Sequence, residues 1–337
     1  MYTEDEILTN VESNLSMNHN DAAASYDDVT RQRKDDRSSQ QVAFRHFNNF
    51  VKKSLIQFAL DRLATSGATE GGGAAVLDIA SGRGGDVGKW VYSQSRVRGP
   101  GQTAAASALK TVTYDCYDVS PECIHEAERR FTELVNGSDK PLTCDASFSV
   151  ADCFADSFLQ QTLPSSPLFG HYHVVTIQFA FHYACQSSVL IRDVLSAVSN
   201  ALVPGGVVLI TTVDAEVLSQ RAADGKLGNE LYEVTFPEPP TFDVTTNGTK
   251  QLVPCTKYHF HLEGFVDCAE YVVCMEMVTR IAREVGLNVS EAMTKPFSQF
   301  VHEYASNWKL NKGNKMSPSE YELVTLYRSI CFEKQRA

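Results

Sequence analysis

The sequence has few of the features that mark secreted, membrane or nucleic-acid-coating proteins. Its nine cysteines are an odd number with no C-x-x-C pair, which predicts neither a disulfide framework nor a zinc site. No apolar run reaches membrane length and no signal-peptide pattern is present, so we expect a soluble intracellular protein without a membrane partner. Cations are in the minority, with 30 Lys and Arg against 41 Asp and Glu, for a formal net charge of −11. This excess of acid excludes non-specific coating of nucleic acid but allows recognition of one nucleotide in a pocket.

The chain also lacks the G-x-G-x-x-G turn of dinucleotide-binding enzymes, but it has a related turn after its first predicted strand. Residues 76–79 form a short apolar run typical of a buried parallel strand, and a helix can begin at Asp86. Between them, Asp78, Ala80 and Gly82 stand in the pattern D-x-A-x-G-x-G, where glycine lets the backbone approach a ligand. The pattern resembles the cofactor loop of class I S-adenosylmethionine-dependent methyltransferases. The alternative is a glycine turn of another α/β protein.

Acidic and amide side chains are predicted at the carboxyl ends of the next strands, where ligands bind in open α/β sheets. In the second strand (111–120), Asp115 and Asp118 are both candidates to accept hydrogen bonds from ribose hydroxyls, and at least one is expected to cap the following helix instead. Asp152 follows the third strand, where it can accept from an adenine amino group or cap a helix. Gln178 ends the fourth strand.

Six further segments complete the prediction. Asn48 and Asn49 lie between aromatic residues, so they either cap a helix or face a ligand. The run 257–264 alternates like a strand and places Glu263 at its end, and a helix is predicted over 269–285. A flexible tail at 1–25, a surface insertion at 98–107 and a loop-rich excursion at 237–254 are also predicted.

Taken together, eight segments resemble eukaryotic mRNA cap guanine-N7 methyltransferases. They are FNNFVK (47–52), VLDIASGRGGDVGKW (76–90), ADC (151–153), QFAFHY (178–183), LVPGG (202–206), GNELYEVTF (228–236), KYHFHLEG (257–264) and LYRSICFEK (326–334). The resemblance implies an α/β class I (Rossmann-like) methyltransferase fold, with a mostly parallel, doubly wound sheet, helices on both faces and C-terminal cap-binding insertions. The implied domain runs from residue 26 to residue 337.

The resemblance also implies a reaction and two sets of contacts. The expected activity is transfer of a methyl group from S-adenosylmethionine to N7 of the guanine of the GpppN cap, leaving S-adenosylhomocysteine, without a general base or a metal. The cofactor candidates, from the resemblance and from the turn and strand ends above, are Lys52, Asp78, Ala80, Gly82, Asp115, Asp118, Asp152, Gln178 and Tyr183. The cap candidates are Asn48, Asn49, Arg83, Lys89, Arg130, His182, Glu263 and Tyr327. For the ribose, family alignment selects Asp115, whereas generic class I spacing selects Asp118.

Partners and alternatives follow from the same resemblance. The expected partners are the capped 5′ end of mRNA and other capping enzymes or RNA polymerase II, for a monomer in the nucleus. The chain departs from the family where Ala80 and Arg83 replace the usual glycine and lysine. The alternatives are a class I methyltransferase of a small molecule and a catalytically silent binding module with a cofactor fold.

Overall fold

The computed structural model describes residues 42–66, 73–92, 111–138, 144–244, 248–306 and 315–336, together with Ala24 and Asp27. Apart from Ala24, the predicted tail at 1–25 lies outside the described residues, as does the predicted insertion at 98–107. The boundary between tail and domain at residue 26 therefore stays a prediction.

A central sheet organises the described chain. In chain order the strands are β1 (Gly73–Ile79), β2 (Thr111–Asp118), β3 (Cys144–Val150), β4 (Tyr172–Gln178), β5 (Leu202–Val213), β6 (Tyr232–Thr235), β7 (Phe242–Val244), β8 (Lys250–Leu252), β9 (Lys257–Leu262), β10 (Val266–Tyr271), β11 (Leu287–Val289), β12 (Lys295–Pro296) and β13 (Tyr327–Lys334). The central sheet has the order β11–β13–β5–β4–β1–β2–β3, with β12 beside β13. Strands β1 to β5 pair in parallel, whereas β13 runs antiparallel to β5. The predicted mostly parallel α/β sheet is confirmed.

Helices cover both faces of this sheet. They are α1 (Val42–Ser66), α2 (Val87–Val91), α3 (Pro121–Asn136), α4 (Ser188–Ala201), α5 (Ala215–Asp224), α6 (Met275–Glu284), α7 (Ser298–Ser306) and α8 (Pro318–Val324). Alternate residues of one strand enter different cores: Val174 packs with Phe47 and Trp90, while Val175 packs with Ile191 and other residues of the opposite face. The sheet is thus doubly wound, as predicted. None of the helices in the described ranges is long and apolar enough to cross a bilayer.

A second, antiparallel sheet of order β10–β9–β6 stands after α5, and β7 and β8 form a separate hairpin. Strand β9 alternates between exposed and buried side chains, as its sequence predicts. The helix predicted over 269–285 is wrong in its first part, because residues 266–271 pair with β9 and form strand β10. Cross-strand pairing here overrides an apolar run that also fits a helix, and α6 begins only at Met275.

The turn between β1 and α2 contains backbone strain at a non-glycine residue. Ala80 has a φ of 53°, in the left-handed region that L side chains rarely occupy. Gly82 and Gly84 share this conformation at no steric cost, with φ of 56° and 65°. Gly84 is also needed for close packing, because a Cβ there would lie 2.7 Å from the Cβ of Ala127 on α3.

Replacing Ala80 by glycine should therefore stabilise the protein. Removal of the left-handed strain should outweigh the greater freedom of glycine in the unfolded chain, for a net gain of about 0.5–1 kcal/mol. The matched control is Ala75→Gly within β1, which should cost about 0.5–1 kcal/mol because glycine weakens regular strands. Urea unfolding of both variants checks the prediction, and equal losses of stability would contradict it.

Candidate functional site

The candidate site lies at the carboxyl edge of the central sheet, where β1 separates from its two neighbours. Strand β1 pairs with β2 on one side and β4 on the other, so the chain leaves these strands in different directions and opens a crevice. Most of the predicted cofactor and cap residues lie in groups around this crevice, whereas Asn49 and Glu263 are exposed outside it.

Asp118 and the glycine turn are joined directly. The backbone N–H of Gly82 donates to Asp118 Oδ2 at 2.7 Å, and that of Ser120 donates to Oδ1 at 2.9 Å. Burial raises the pKa of Asp118, while these backbone donors oppose the rise. A Cβ on Gly82 or Gly85 would meet no heavy atom within 4 Å, so the turn borders open space next to this carboxylate.

Asp115 points to the opposite face of β2. Its Oδ1 accepts a hydrogen bond from Ser147 at 2.7 Å and its Oδ2 accepts one from the hydroxyl of Tyr172. Side chains alternate along a strand, so Asp115 and Asp118, three residues apart, cannot both face the glycine turn. Asp118 is therefore the acid that lies beside the glycine turn, whereas Asp115 bonds to side chains of β3 and β4. The choice of ribose acceptor between them stays a prediction.

Two other cofactor candidates have defined local bonds. Asp152 accepts from the backbone N–H of Phe154 at 3.1 Å, so it also closes a turn after β3. The amide of Gln178 is bonded to Thr176, Leu209 and Thr211, which ties the end of β4 to β5.

Asp78 lies buried beneath the turn. Its Oδ2 accepts from the hydroxyl of Tyr114, and its Oδ1 has no hydrogen-bond partner. Burial, together with the charge of Asp86, raises the pKa of Asp78 to about 7.

Asp86 forms ion pairs with the two predicted lysines, Lys52 and Lys89. Lys52 Nζ, from α1, lies 2.8 Å from Asp86 Oδ2, and Lys89 Nζ lies 2.6 Å from Oδ1. Burial alone would raise the pKa of Asp86, but the two ammonium groups outweigh it and lower the pKa to about 2. Lys52 also lies over the ring of Phe179, with Nζ 5.4 Å from its centroid. Lys52 therefore joins the crevice, whereas the side chain of Lys89 is largely buried against the turn.

Glu126 on α3 is a common partner of the two predicted arginines, Arg83 and Arg130. Its Oε1 accepts from Arg130 Nε at 2.8 Å and lies 3.9 Å from Arg83 Nη2 in the glycine turn. Arg129 Nε donates to the other oxygen at 2.8 Å. Hydrogen bonds from Arg129, with those from Arg130, lower the pKa of Glu126 to about 2 against the effect of burial.

The two asparagines of α1 have different environments. Neither caps the helix, since both lie within Val42–Ser66. Asn48 is partly buried and its Oδ1 has no hydrogen-bond partner, while Asn49 is exposed. Asn48 stands one turn before Lys52 and so shares its helix face. The structure thus brings Asn48 to the crevice and leaves Asn49 at the surface.

His182 forms a buried pair with a residue that the sequence analysis missed. It lies in a 3₁₀ turn at Phe181–Gln186 after β4, with Nε2 3.4 Å from Oε1 of Glu270 on β10. The hydroxyl of Tyr258 donates to Oε2 of Glu270 at 2.7 Å. Both ring nitrogens of His182 are buried without a hydrogen-bond partner. Burial lowers the pKa of His182 to about 3 and raises that of Glu270 to about 8, so the pair is neutral at pH 7.

Glu263 does not join this pair, which corrects the sequence-based assignment. It is exposed in the turn between β9 and β10, whereas Glu270 lies at the far end of β10. At 3.3 Å per strand residue, Val266 and Glu270 alone are about 13 Å apart. A signal for Glu270 was present, because it is the one charged residue in the apolar run 268–273.

Aromatic rings enclose the space between these groups. Tyr327, at the start of β13, packs edge-on against Phe179 with ring centroids 5.2 Å apart. The ring of Tyr183 packs against His182 at 4.3 Å, and its hydroxyl lies 3.0 Å from Cys268 Sγ. Phe179 has a φ of 57°, which is strained for an aromatic residue.

The residues present fit a nucleoside-containing cofactor better than a metal. The open turn at Gly82, the adjacent carboxylate of Asp118 and the unpaired oxygen of Asp78 provide a cradle and acceptors for such a molecule. Within the described ranges no cluster of histidine, cysteine or acidic side chains could hold a metal ion. All nine cysteines lie in these ranges and are free thiols.

Comparison with known proteins agrees with this geometry. Residues 10–335 match the model of the mRNA (guanine-N(7))-methyltransferase domain family. The chain is 28% identical over 278 residues to the mRNA cap guanine-N(7) methyltransferase of Drosophila melanogaster, covering 78% of this chain and 57% of that protein. It is 28% identical over 312 residues to the protein of the same name from Schizosaccharomyces pombe, covering 87% and 76%.

A S-adenosylmethionine-dependent methyltransferase from Clostridium acetobutylicum aligns over 95% of this chain and 99% of that chain, at 15% identity and a TM-score of 0.44. That score is too low to add to the assignment.

Replacing Glu270 by glutamine should stabilise the protein in a pH-dependent way. The folded state raises the Glu270 pKa from 4.5 to about 8, so wild type loses stability as pH rises across that interval. Glutamine remains neutral, so the gain in Tm should be larger at pH 8 than at pH 5.5. Glu263→Gln, at an exposed site, is the matched control and should show no such gain. Parallel Tm–pH curves for wild type and Glu270→Gln would contradict the prediction.

Proposed function

The chain belongs to the mRNA (guanine-N(7))-methyltransferase family, and we propose that it transfers a methyl group from S-adenosylmethionine to N7 of the guanine in the GpppN cap of mRNA. The buried His182–Glu270 pair is the observation that supports this proposal most directly. The chain spans 57% of the Drosophila relative, so the activity of the whole protein is part of the proposal.

Guanine recognition is assigned to Glu270. An ionised carboxylate accepts hydrogen bonds from the N1–H and the exocyclic amino group of guanine, and adenine has no N1–H to offer. Each oxygen of Glu270 retains accepting capacity, although Tyr258 already donates to Oε2. His182 adds a neutral ring with one donor and one acceptor, both of which lack a protein partner. A purine that pairs with these atoms removes the cost of leaving them buried and unpaired, about 1–3 kcal/mol each.

The opposite side of the crevice is assigned to the methyl donor. S-adenosylmethionine supplies a methyl group that its sulfonium already activates. Asp118 would accept from the ribose hydroxyls, Gly82 would allow close approach of the backbone, and Asp152 would face the adenine. Lys52, whose ammonium group Asp86 orients, would pair with the carboxylate of the methionine part of the cofactor.

No residue needs to act as a proton-transfer catalyst. Guanine N7 carries an exposed lone pair at neutral pH, so the reaction is an in-line displacement. The contribution of the chain is to align the two ligands, which can lower the barrier by about 7–11 kcal/mol. Phe179, Tyr183 and Tyr327 pack between the proposed guanine site and the proposed cofactor site, and their ring contacts support that role.

The cellular setting is also part of the proposal. Methylation at N7 acts on a guanine that earlier capping reactions have attached to a new transcript. We therefore place the protein in the nucleus as a monomer, with other capping enzymes or RNA polymerase II as partners.

The proposal is tested by methyl transfer to GpppRNA, with ApppRNA and GTP as competing acceptors. Wild type should methylate GpppRNA and leave ApppRNA unmodified. Glu270→Gln should lose at least tenfold in kcat/KM, because its amide N–H₂ opposes a guanine donor where a carboxylate oxygen accepted one. Glu263→Gln should retain wild-type activity.

Three outcomes would contradict parts of this picture. Equal modification of GpppRNA and ApppRNA would remove the guanine specificity. A loss in Glu263→Gln without a loss in Glu270→Gln would restore Glu263 as the guanine-recognising acid. Binding of S-adenosylmethionine without transfer to any acceptor would identify a silent binding module.

Asp118 and Asp115 should respond differently to substitution by asparagine. Asp118→Asn should weaken S-adenosylhomocysteine binding more than tenfold, since a hydrogen bond to a charged acceptor contributes about 1.5–3 kcal/mol. Asp115→Asn should lower Tm, because it disturbs the bonds to Ser147 and Tyr172, but should change the affinity less than threefold. Calorimetric titration and thermal unfolding of both variants measure this, and the reverse pattern would support Asp115 as the ribose ligand.

A further inference from the structure

Three guanidinium groups meet at one buried carboxylate beside the glycine turn. Glu126 is 7% exposed and receives bonds from Arg129 and Arg130 of its own helix. Arg83 approaches the same oxygen, Oε1, from the turn between β1 and α2. Glu126 thus connects two separate chain segments, each of which carries a predicted cap contact, Arg83 or Arg130.

The arrangement holds more positive charge than the carboxylate can neutralise. Arg83 and Arg130 approach the same oxygen of Glu126, at 3.9 Å and 2.8 Å, so their guanidinium groups are neighbours. Burial, and next the charge of Arg130, lower the pKa of Arg83. Arg129 is shared with the exposed Glu133, so its charge is already matched on the surface side. Arg129 also bonds to both oxygens of Glu126, so three guanidinium groups share the two carboxylates of Glu126 and Glu133.

The two arginines also keep donors available. Arg130 uses its Nε on Glu126, and the described residues give its two Nη groups no hydrogen bond. Arg83 Nε is buried without a partner. A protein of net charge −11 that concentrates unpaired guanidinium donors at one place provides a site for an anion. Planar guanidinium groups suit phosphate because they can donate two parallel N–H bonds.

We propose that Glu126 is a positioning residue for the phosphate chain of the cap: it holds Arg83 and Arg130 at a fixed separation, with their remaining N–H groups directed at the phosphates. The inference rests on the proposed function. Glu126 itself does not contact the ligand, because its oxygens are occupied by the arginines and like charge would repel the phosphates. Its effect should therefore appear for phosphate-bearing ligands alone.

The test measures the affinities of Glu126→Gln for three ligands. They are m7GpppG, the phosphate-free nucleoside 7-methylguanosine, and S-adenosylhomocysteine. Affinity for m7GpppG should fall about tenfold, because a neutral amide loses the charge-assisted bond to Arg130 and the electrostatic attraction to Arg83. Affinities for the other two ligands should stay within twofold. Glu133→Gln removes an exposed partner of Arg129 on the same helix and is the matched control, with all three affinities unchanged.

A double-mutant cycle separates positioning from general destabilisation. If Glu126 acts through Arg130, Glu126→Gln should change the m7GpppG affinity less than twofold in an Arg130→Ala background. An unchanged m7GpppG affinity in Glu126→Gln would overturn the proposal. So would parallel losses for 7-methylguanosine and S-adenosylhomocysteine, which would indicate a structural role.

Wild-type methyl transfer to GpppRNA tests the parent proposal separately. If transfer occurs and Glu126→Gln binds m7GpppG normally, the role of Glu126 alone is wrong. If wild type neither transfers a methyl group to GpppRNA nor binds m7GpppG, both proposals fail.

Discussion

The pairing of β1 with β2 and β4 is the constraint on which the rest of the site depends. Because β1 is held between these two strands and buried along nearly its whole length, its carboxyl end and the glycine turn have one possible position. Asp118 from β2 and the 3₁₀ turn after β4 arrive at the same edge through their own strands. A slip of one residue in either register would turn every side chain of that strand to the other face.

Three buried acids at this edge show how local partners decide ionisation. Asp86 and Glu126 are each bonded to two or more cations, so both remain charged despite burial, with pKa values near 2. Glu270 has a tyrosine and a neutral histidine instead, and burial raises its pKa to about 8. Asp86 and Glu126, which are both charged, hold neighbouring lysine and arginine side chains in place. Glu270, which is neutral, has no cation beside it in the described residues, so the N–H donors of a ligand can take that place.

Much of the fold could be predicted from the sequence, because strand ends, glycine turns and helix caps are local signals. Strand β4 ends at Gln178, as the sequence predicts, because a short-range pattern is enough to locate a strand end. The choice between Asp115 and Asp118 depends on strand alternation together with the end of β2 at residue 118, neither of which family alignment alone supplies. Glu270 was missed because an apolar run fits a helix or a strand equally, and only the distant pairing with β9 decides between them.

The buried pair of His182 and Glu270 also links folding to recognition. An ion pair at this depth would need further hydrogen bonds to offset its desolvation, and the two unpartnered nitrogens of His182 show that the protein does not supply them. A neutral pair is less costly to bury, so the free protein keeps a proton that guanine recognition must remove. Under the proposed function the ligand would gain selectivity from this exchange, because a base without two adjacent N–H donors gives no compensation for ionising Glu270. The cost of burying the acid in the free protein and its proposed preference for guanine would then have one physical origin.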